Sequence, residues 1–429
     1  MIYNKFNILN KEKSTEDHYV IHEKVTRIPD SSFFDCTSLT CIDVPDSVTE
    51  IGDSAFAGCS NLISIKIPNT VKEIGKNAFA GCTSLTSIKI PASVTVISKE
   101  TFTGCTSLTT VEIPNSVTEI GNSAFLGCIS LAHINIPDSI TEIRESAFWG
   151  CTSLVGIEIP NSVKVIREKT FYGCMSLANI KLSDSAVEIG KWAFYGCSNL
   201  REIEIPNSIT IIGEKAFYRC TCLNNVEIPN SVTEIGEWVF NRCTSLSCID
   251  IPDSVIMVGR EAFSGCTSLT SIIIPDSVIE IGEGAFSGCT SLTNITIPNS
   301  VTVVREYAFG GCTNLACIDI SPGNTCYNSI IGVLCSSNKA SLTTFPNRKV
   351  ADFVQQNSVK EISNNAFDSC SNLKEIHCRI EYIEKIKVHS NSFENCNFSE
   401  CSLYVPSGTG YAYRHHPVFS KFKKIFIEK

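Results

Sequence analysis

The sequence predicts a β-rich solenoid, a stack of near-identical short units rather than a set of globular domains. Three observations predict it. A cysteine returns every 23 residues, thirteen times from Cys36 to Cys312, without an insertion or deletion. A phenylalanine lies three residues before each cysteine (Phe33, Phe56 through Phe309) and a leucine three residues after (Leu39, Leu62 through Leu315). A fixed period in this range marks one supersecondary unit stacked on itself in register.

Composition agrees. Of 429 residues, 43% are hydrophobic, enough for a continuous core, and the net charge of -9 excludes a general nucleic-acid binder, which needs a basic face. No apolar run is long enough to span a membrane. Residues 1–22 read as an N-terminal segment or cap. Their apolar residues are interrupted by Asn4, Lys5, Asn7 and Asn10, so no secretory leader is expected. On the sequence alone a cytoplasmic compartment is expected.

The 23-residue units run from 23 to 320. In the unit that starts at Cys82, Leu85, Ile88 and Ile90 follow the core spacing, and Ile88-Lys89-Ile90 alternates in and out as a half-buried strand requires. Pro91 ends that strand because it cannot donate to a ladder. Pro followed by Asp or Asn and then Ser (Pro45-Asp46-Ser47, Pro114-Asn115-Ser116) is turn chemistry. A second short extended stretch, such as Val117-Thr118-Glu119-Ile120, turns Val117 and Ile120 inward. Glycine often follows (Gly52, Gly75, Gly121), but Ser98, Arg144, Arg167 and Arg305 take the same place, so a positive φ is not required there. Ala-Phe-x-Gly-Cys closes the unit with Ala, Phe and Cys inward, and reads as a single helical turn.

The 23 cysteines would ordinarily point to a disulfide-stapled secreted protein. Their spacing argues otherwise. Cysteines of one column point the same way into a core, which is the wrong relative direction for a disulfide. They are expected to be small buried hydrophobes.

Leu-x-x-Ile-x-Ile-Pro followed by Ile-Gly-x-x-Ala-Phe-x-Gly-Cys resembles the BspA-type leucine-rich repeat family of bacterial and protist surface proteins. The resemblance covers at least residues 25–320 and resumes later. It implies a right-handed leucine-rich-repeat solenoid of the α/β class, with a parallel sheet on one side and short strands and single helical turns on the other. It also implies an adhesin-like or antigenic surface protein that binds host or extracellular-matrix protein. The break at 321–350 is similar to family inserts and reads as a β-hairpin with arms at 329–335 and 340–346. Repeats resume and degenerate over 351–400. Residues 401–429 are similar to the family's C-terminal cap of strand, short helix and strand. The cap's Arg414, Lys421, Lys423, Lys424 and Lys429 stand against Glu428 and are read as ordinary polarity.

No chemistry-bearing motif is present, so neither an enzyme nor a cofactor is expected. The histidines are His18, His22, His133, His377, His389, His415 and His416, and no nucleophile motif accompanies them. Cys220-Thr221-Cys222 is a single C-x-C with no second pair, which is too little for a metal site. Two outward columns remain as candidate partner-binding surfaces. One lies on the sheet face between the two buried isoleucines and is acidic at Glu112, Glu158, Glu204, Glu227 and Asp250, with Glu202 beside it. It is either a docking strip for a basic partner or a solvated face that blunts aggregation. The other is aromatic: Trp149, Tyr172, Tyr195 and Tyr218 in four successive units, with Trp192 and Trp238 three residues before the same position. Protein hot spots, sugar faces or packing between repeats would each use such a column. A monomeric protein-binding scaffold follows, with an intracellular interaction scaffold or glycan binding along the aromatic column as alternatives.

Overall fold

A computed structural model describes residues 17–428 apart from 331, 339, 340, 347–349, 354–358, 369, 371, 372 and 395. Most of the segment expected over 1–22 therefore lies outside the described residues, as do parts of the 321–350 and 351–400 segments. The chain divides into two units, one ending at Ser231 and one beginning at Val232. Each is built of leucine-rich-repeat solenoid turns.

In the first unit three lines of hydrogen bonds join each turn to the next. The first is the sheet. Ser87–Lys89 exposes Ser87 and Lys89 around buried Ile88 and lies parallel to Thr110–Glu112, with Ser87 opposite Thr110 and Lys89 opposite Glu112. A register offset of one repeat gives every repeat position its own column. His18–Val20 already pairs with Cys41–Asp43 in this register. The second line is the short strand after the turn, where Glu119–Ile120 lies between Val96–Ile97 and Glu142–Ile143. Val117 and Ile120 are fully buried there.

The third line differs from the expected helical turn. Ser54 and Gly58 both adopt left-handed backbone angles, with φ of 53° and 76°, and a right-handed helix cannot pass through them. Alternate amides consequently go to two places. Ala55, Ala57 and Cys59 bond back to the carbonyls of Gly52, Ser54 and Phe56. Ser54, Phe56 and Gly58 instead donate to Lys76, Ala78 and Ala80 of the next turn at 2.7–2.8 Å. A helix would have used all of these amides internally and left this side unlinked. The glycine after the second strand works by close approach. A Cβ on Gly121 would lie 2.8 Å from the Ile97 carbonyl oxygen of the preceding turn.

Inside, the rings from Phe33 to Phe217 form one stack, with centroids 5.2–5.7 Å apart and planes within 12°. All 23 cysteines are free thiols. Those from Cys59 to Cys220 are more than small hydrophobes. Each Sγ lies 3.0–3.2 Å from the carbonyl of the phenylalanine one turn earlier. That oxygen also accepts an amide within its own turn, as Phe56 does from Cys59, so the thiol supplies its second donor. Alanine would fill the place without supplying that donor. The serine of the Pro-Asx-Ser turn acts in a similar way. Ser116 donates to the Val94 carbonyl at 2.7 Å and Ser139 to that of Val117 at 2.7 Å.

The second unit continues the pattern through Glu234–Ile235, Met257–Val258, Glu280–Ile281 and Val303–Val304, which pair parallel in that order. Its rings stack from Phe240 to Phe309. Beyond Cys317–Ile320 the chain turns antiparallel. Tyr327–Ile330 pairs with Val333–Ser336, and this strand pairs with Ser341–Thr344 through a register shift between Leu334 and Cys335. The arm expected over 329–335 is thus divided between two antiparallel strands. Parallel pairing then returns: Ser341–Thr344 lies beside Glu361–Ile362, while Val350–Phe353, Glu375–Cys378, Ser402–Val405 and Lys424–Ile427 form a parallel sheet. Among the described residues the one α-helix is Gly410–His415, and Tyr413 from it is buried in the last core cluster. No helix among them is long and apolar enough to cross a membrane.

Candidate functional site

Sheet geometry decides what the acidic column looks like. Because Ile157, Ile180, Ile203 and Val226 are buried, their strand neighbours must face outward, and strand stacking puts them about 4.8 Å apart along the column. In the first unit these outward residues line an open groove of about 1150 Å³ over the strands from His133 to Pro229. Its lining carries the carboxylates of Glu158, Asp184, Glu202, Glu204 and Glu227 against the single lysine Lys181. Among the described residues no cation lies within ion-pair distance of Glu158, Glu202, Glu204 or Glu227. Glu204 and Glu227 occupy the same position of adjacent turns, where like charges repel.

The other members of the acidic column sit apart. Glu112 is exposed but paired with Lys89 at 3.1 Å, and it does not line the groove. Asp250 is exposed in the second unit, bridged to Ile273. Asp184, just past the next strand end, joins the groove from the turn position that is Asp or Asn in other repeats, which strand alternation does not signal.

The aromatic column is built differently. Tyr172, Tyr195 and Tyr218 are half-buried and stacked face to face, with centroids 4.5 Å and 4.8 Å apart and planes within 8°. Trp149 closes one end, 4.9 Å from Tyr172 and tilted by 50°. Burial and the neighbouring Tyr195 raise the Tyr172 phenol above its ordinary pKa. Trp192 stands in the adjacent column, at the left-handed position of its turn (φ 55°). It shares that column with Lys169 and Lys215, whose ammonium groups lie 4.3 Å and 5.8 Å from its ring. Those lysines also pair with Glu168 and Glu214 at 2.7 Å and 2.9 Å. Trp192 and Tyr195 thus lie on a left-handed turn flanked by lysines and not on a helical turn. Lys169, Trp192 and Lys215 alternate at one-repeat spacing in the sequence. Trp238 lies in the second unit with the same left-handed angle, and the Arg260 guanidinium is 5.3 Å from its ring.

Among the described residues no group of three or more His, Cys, Asp and Glu side chains is arranged to hold a metal ion. His18 is in a strand and pairs with Asp43 at 3.1 Å.

Among solved structures the chain is similar to a leucine-rich repeat protein from Bacteroides ovatus, at 29% identity and a TM-score of 0.59, with 96% of this chain and 84% of that one covered. It is also similar to a leucine rich cell surface protein from Faecalibacterium prausnitzii, at 28% identity and a TM-score of 0.46, with 86% of this chain and 91% of that one covered. No curated protein matches it. The BspA type leucine-rich repeat region matches residues 26–155, 151–269, 242–346 and 338–425; the chain belongs to that family and is a leucine-rich repeat scaffold.

Proposed function

We propose that the chain is a protein-binding scaffold of the adhesin kind, and that it takes a basic segment of a host or matrix protein into the groove of the first unit. One observation carries this reading. Glu158, Glu202, Glu204 and Glu227 lie close together on an exposed face, and among the described residues none has a cationic partner. Lys181 sits between Glu158 and Glu204 in this column without an ion pair to either, whereas Lys89 and Glu112 of the same column pair at 3.1 Å, as a face kept charged only for solubility favours. Carboxylates left together lower the cost of desolvation for an incoming Lys or Arg and steer its approach. The adhesin class itself comes from the family.

Glycan binding along the aromatic column has less support. Stacking on a sugar needs a free ring face, and Tyr172 and Tyr195 have theirs against neighbouring rings.

Immobilised matrix proteins titrated with the full chain test the reading. Binding that weakens with salt and falls by about a hundredfold in Glu158→Lys/Glu204→Lys/Glu227→Lys is expected, each reversed charge contributing on the order of 1 kcal/mol. Binding that the triple variant leaves intact, or no binding to any basic matrix protein, would reject it.

A further inference from the structure

The strand Lys424–Ile427 ends its sheet. It pairs parallel with Ser402–Val405 on one side, and no strand among the described residues pairs with its other edge. An open edge of this kind is a template for another strand unless it is guarded. Here the guard is incomplete. Lys424 is exposed, but so are Phe426 at 47% and Ile427 at 51%.

The backbone polarity of the edge is fixed. Glu428 donates its amide inward to the Val405 carbonyl at 2.8 Å. In a strand, alternate residues turn their amide and carbonyl to opposite sides, so Lys424, Phe426 and Glu428 face Ser402–Val405 and Ile425 and Ile427 face the open edge. An antiparallel partner bonds residues whose groups both point outward, in pairs. Ile425 and Ile427 can therefore pair with the Ile427 and Ile425 of a second copy.

That register is also the one the side chains favour. Centred on Phe426, it sets Lys424 opposite Glu428 and Phe426 opposite Phe426 on one face, and Ile425 opposite Ile427 on the other. Lys-Ile-Phe-Ile-Glu is complementary to itself when reversed. A slip by two residues in one direction sets Lys424 opposite Phe426, and in the other Phe426 opposite Glu428, and both lose the charge match. The face that would carry the pair is already ordered, since Phe426 stacks on Tyr404 at 5.3 Å and Tyr404 on His377 at 4.6 Å. His377 in turn holds Glu428 in place, with Arg379 Nε 3.8 Å from its other carboxylate oxygen.

We infer that a second copy of this chain docks on the Lys424–Ile427 edge, the two strands running antiparallel about a two-fold axis at Phe426. This differs from the monomer expected from the sequence. Two five-residue edges bury less than a standard interface, so the dimer is weak and depends on concentration.

Sedimentation velocity of the full chain over a concentration series, in wild type and four variants, decides the matter. Wild type should show a monomer–dimer equilibrium. Phe426→Lys and Lys424→Glu should each weaken it about tenfold, placing like charges across the axis or opposite Glu428. Lys424→Glu combined with Glu428→Lys should recover most of the loss, which a merely misfolded cap could not do. Ile427→Pro removes an amide that the single chain leaves unpaired, and it should abolish the dimer while thermal unfolding stays within a few degrees of wild type. A monomer up to the solubility limit, or a dimer indifferent to all four variants, would overturn the inference.

Discussion

Two columns of the first unit, one inside and one outside, follow opposite rules. Both place one residue on each turn at about 4.8 Å spacing. The inner column is cysteine in every turn from Cys59 to Cys220, and each thiol is bonded to a backbone carbonyl that the neighbouring turn always presents. The outer column changes from turn to turn. Glu112 is followed by Asn135, Glu158, Lys181, Glu204 and Glu227, and its carboxylates in the groove meet no fixed partner. A position whose bond is internal is held to one residue. A position with no fixed internal partner is free to vary from turn to turn.

The largest way to break this contrast is alkali. Burial pushes the Cys82 thiol from 9.0 up to about 12 and raises Cys105, Cys128, Cys151 and Cys174 as well. The folded state therefore holds these protons more tightly than the unfolded chain. Between the two values the unfolded state binds fewer protons, and stability falls as pH rises. It should be complete below pH 9.0 and fall by about 1.4 kcal/mol per thiol per pH unit toward about 12. Urea midpoints measured across that window check it, and a midpoint that does not move would remove the thiols from the stability of the stack. In the same column Cys151→Ala should cost about 2 kcal/mol, from the lost sulfur contacts and the lost second donor to the Phe125 carbonyl.

The aromatic column sharpens the contrast because it is exposed in part and yet satisfied from within. Tyr195→Ala removes two stacked contacts at once, so a loss of about 2 kcal/mol is expected on thermal or chemical unfolding. Capture of a protein partner should be unchanged. If capture is lost while the fold survives, the aromatic column and not the groove is the recognition surface.

How much of this could be read in advance depends on where the information sits. Strand, turn and core were legible because each is written as a local pattern: Ile88-Lys89-Ile90 alternates, Pro91 stops the strand, and Phe and Cys recur in phase. The left-handed turn at Ser54 and Gly58 was not, since serine, asparagine, lysine and tryptophan all occupy the first of those positions and no single residue type signals it. The bonds of Cys82 to Phe56 and of Ser116 to Val94 join neighbouring turns and exist only once the register is known. Exposure of the acidic column was legible from alternation alone. The groove was not, because its Asp184 comes from the turn three residues past Lys181 and not from the strand. Nor was the stacking that uses up the tyrosine faces.

The smallest expected effect is also the most discriminating. Glu227→Gln keeps the size and hydrogen-bonding shape of the side chain and removes one charge from a column where Glu204 is the neighbour one turn back. Relief of that repulsion should raise stability by about 0.3 kcal/mol, read as a small upward shift of the unfolding midpoint. Loss of a carboxylate aimed at a basic partner should at the same time weaken binding about threefold and flatten its salt dependence. The two signs oppose each other, and that opposition is the point. A sheet face kept charged only for solubility gains stability from the substitution and loses nothing else. A face kept charged for a partner is held slightly unstable in the free chain, and binding recovers the difference when the partner's cations fill the gaps. A gain in both stability and binding, or no change in either, would assign the groove to solubility alone.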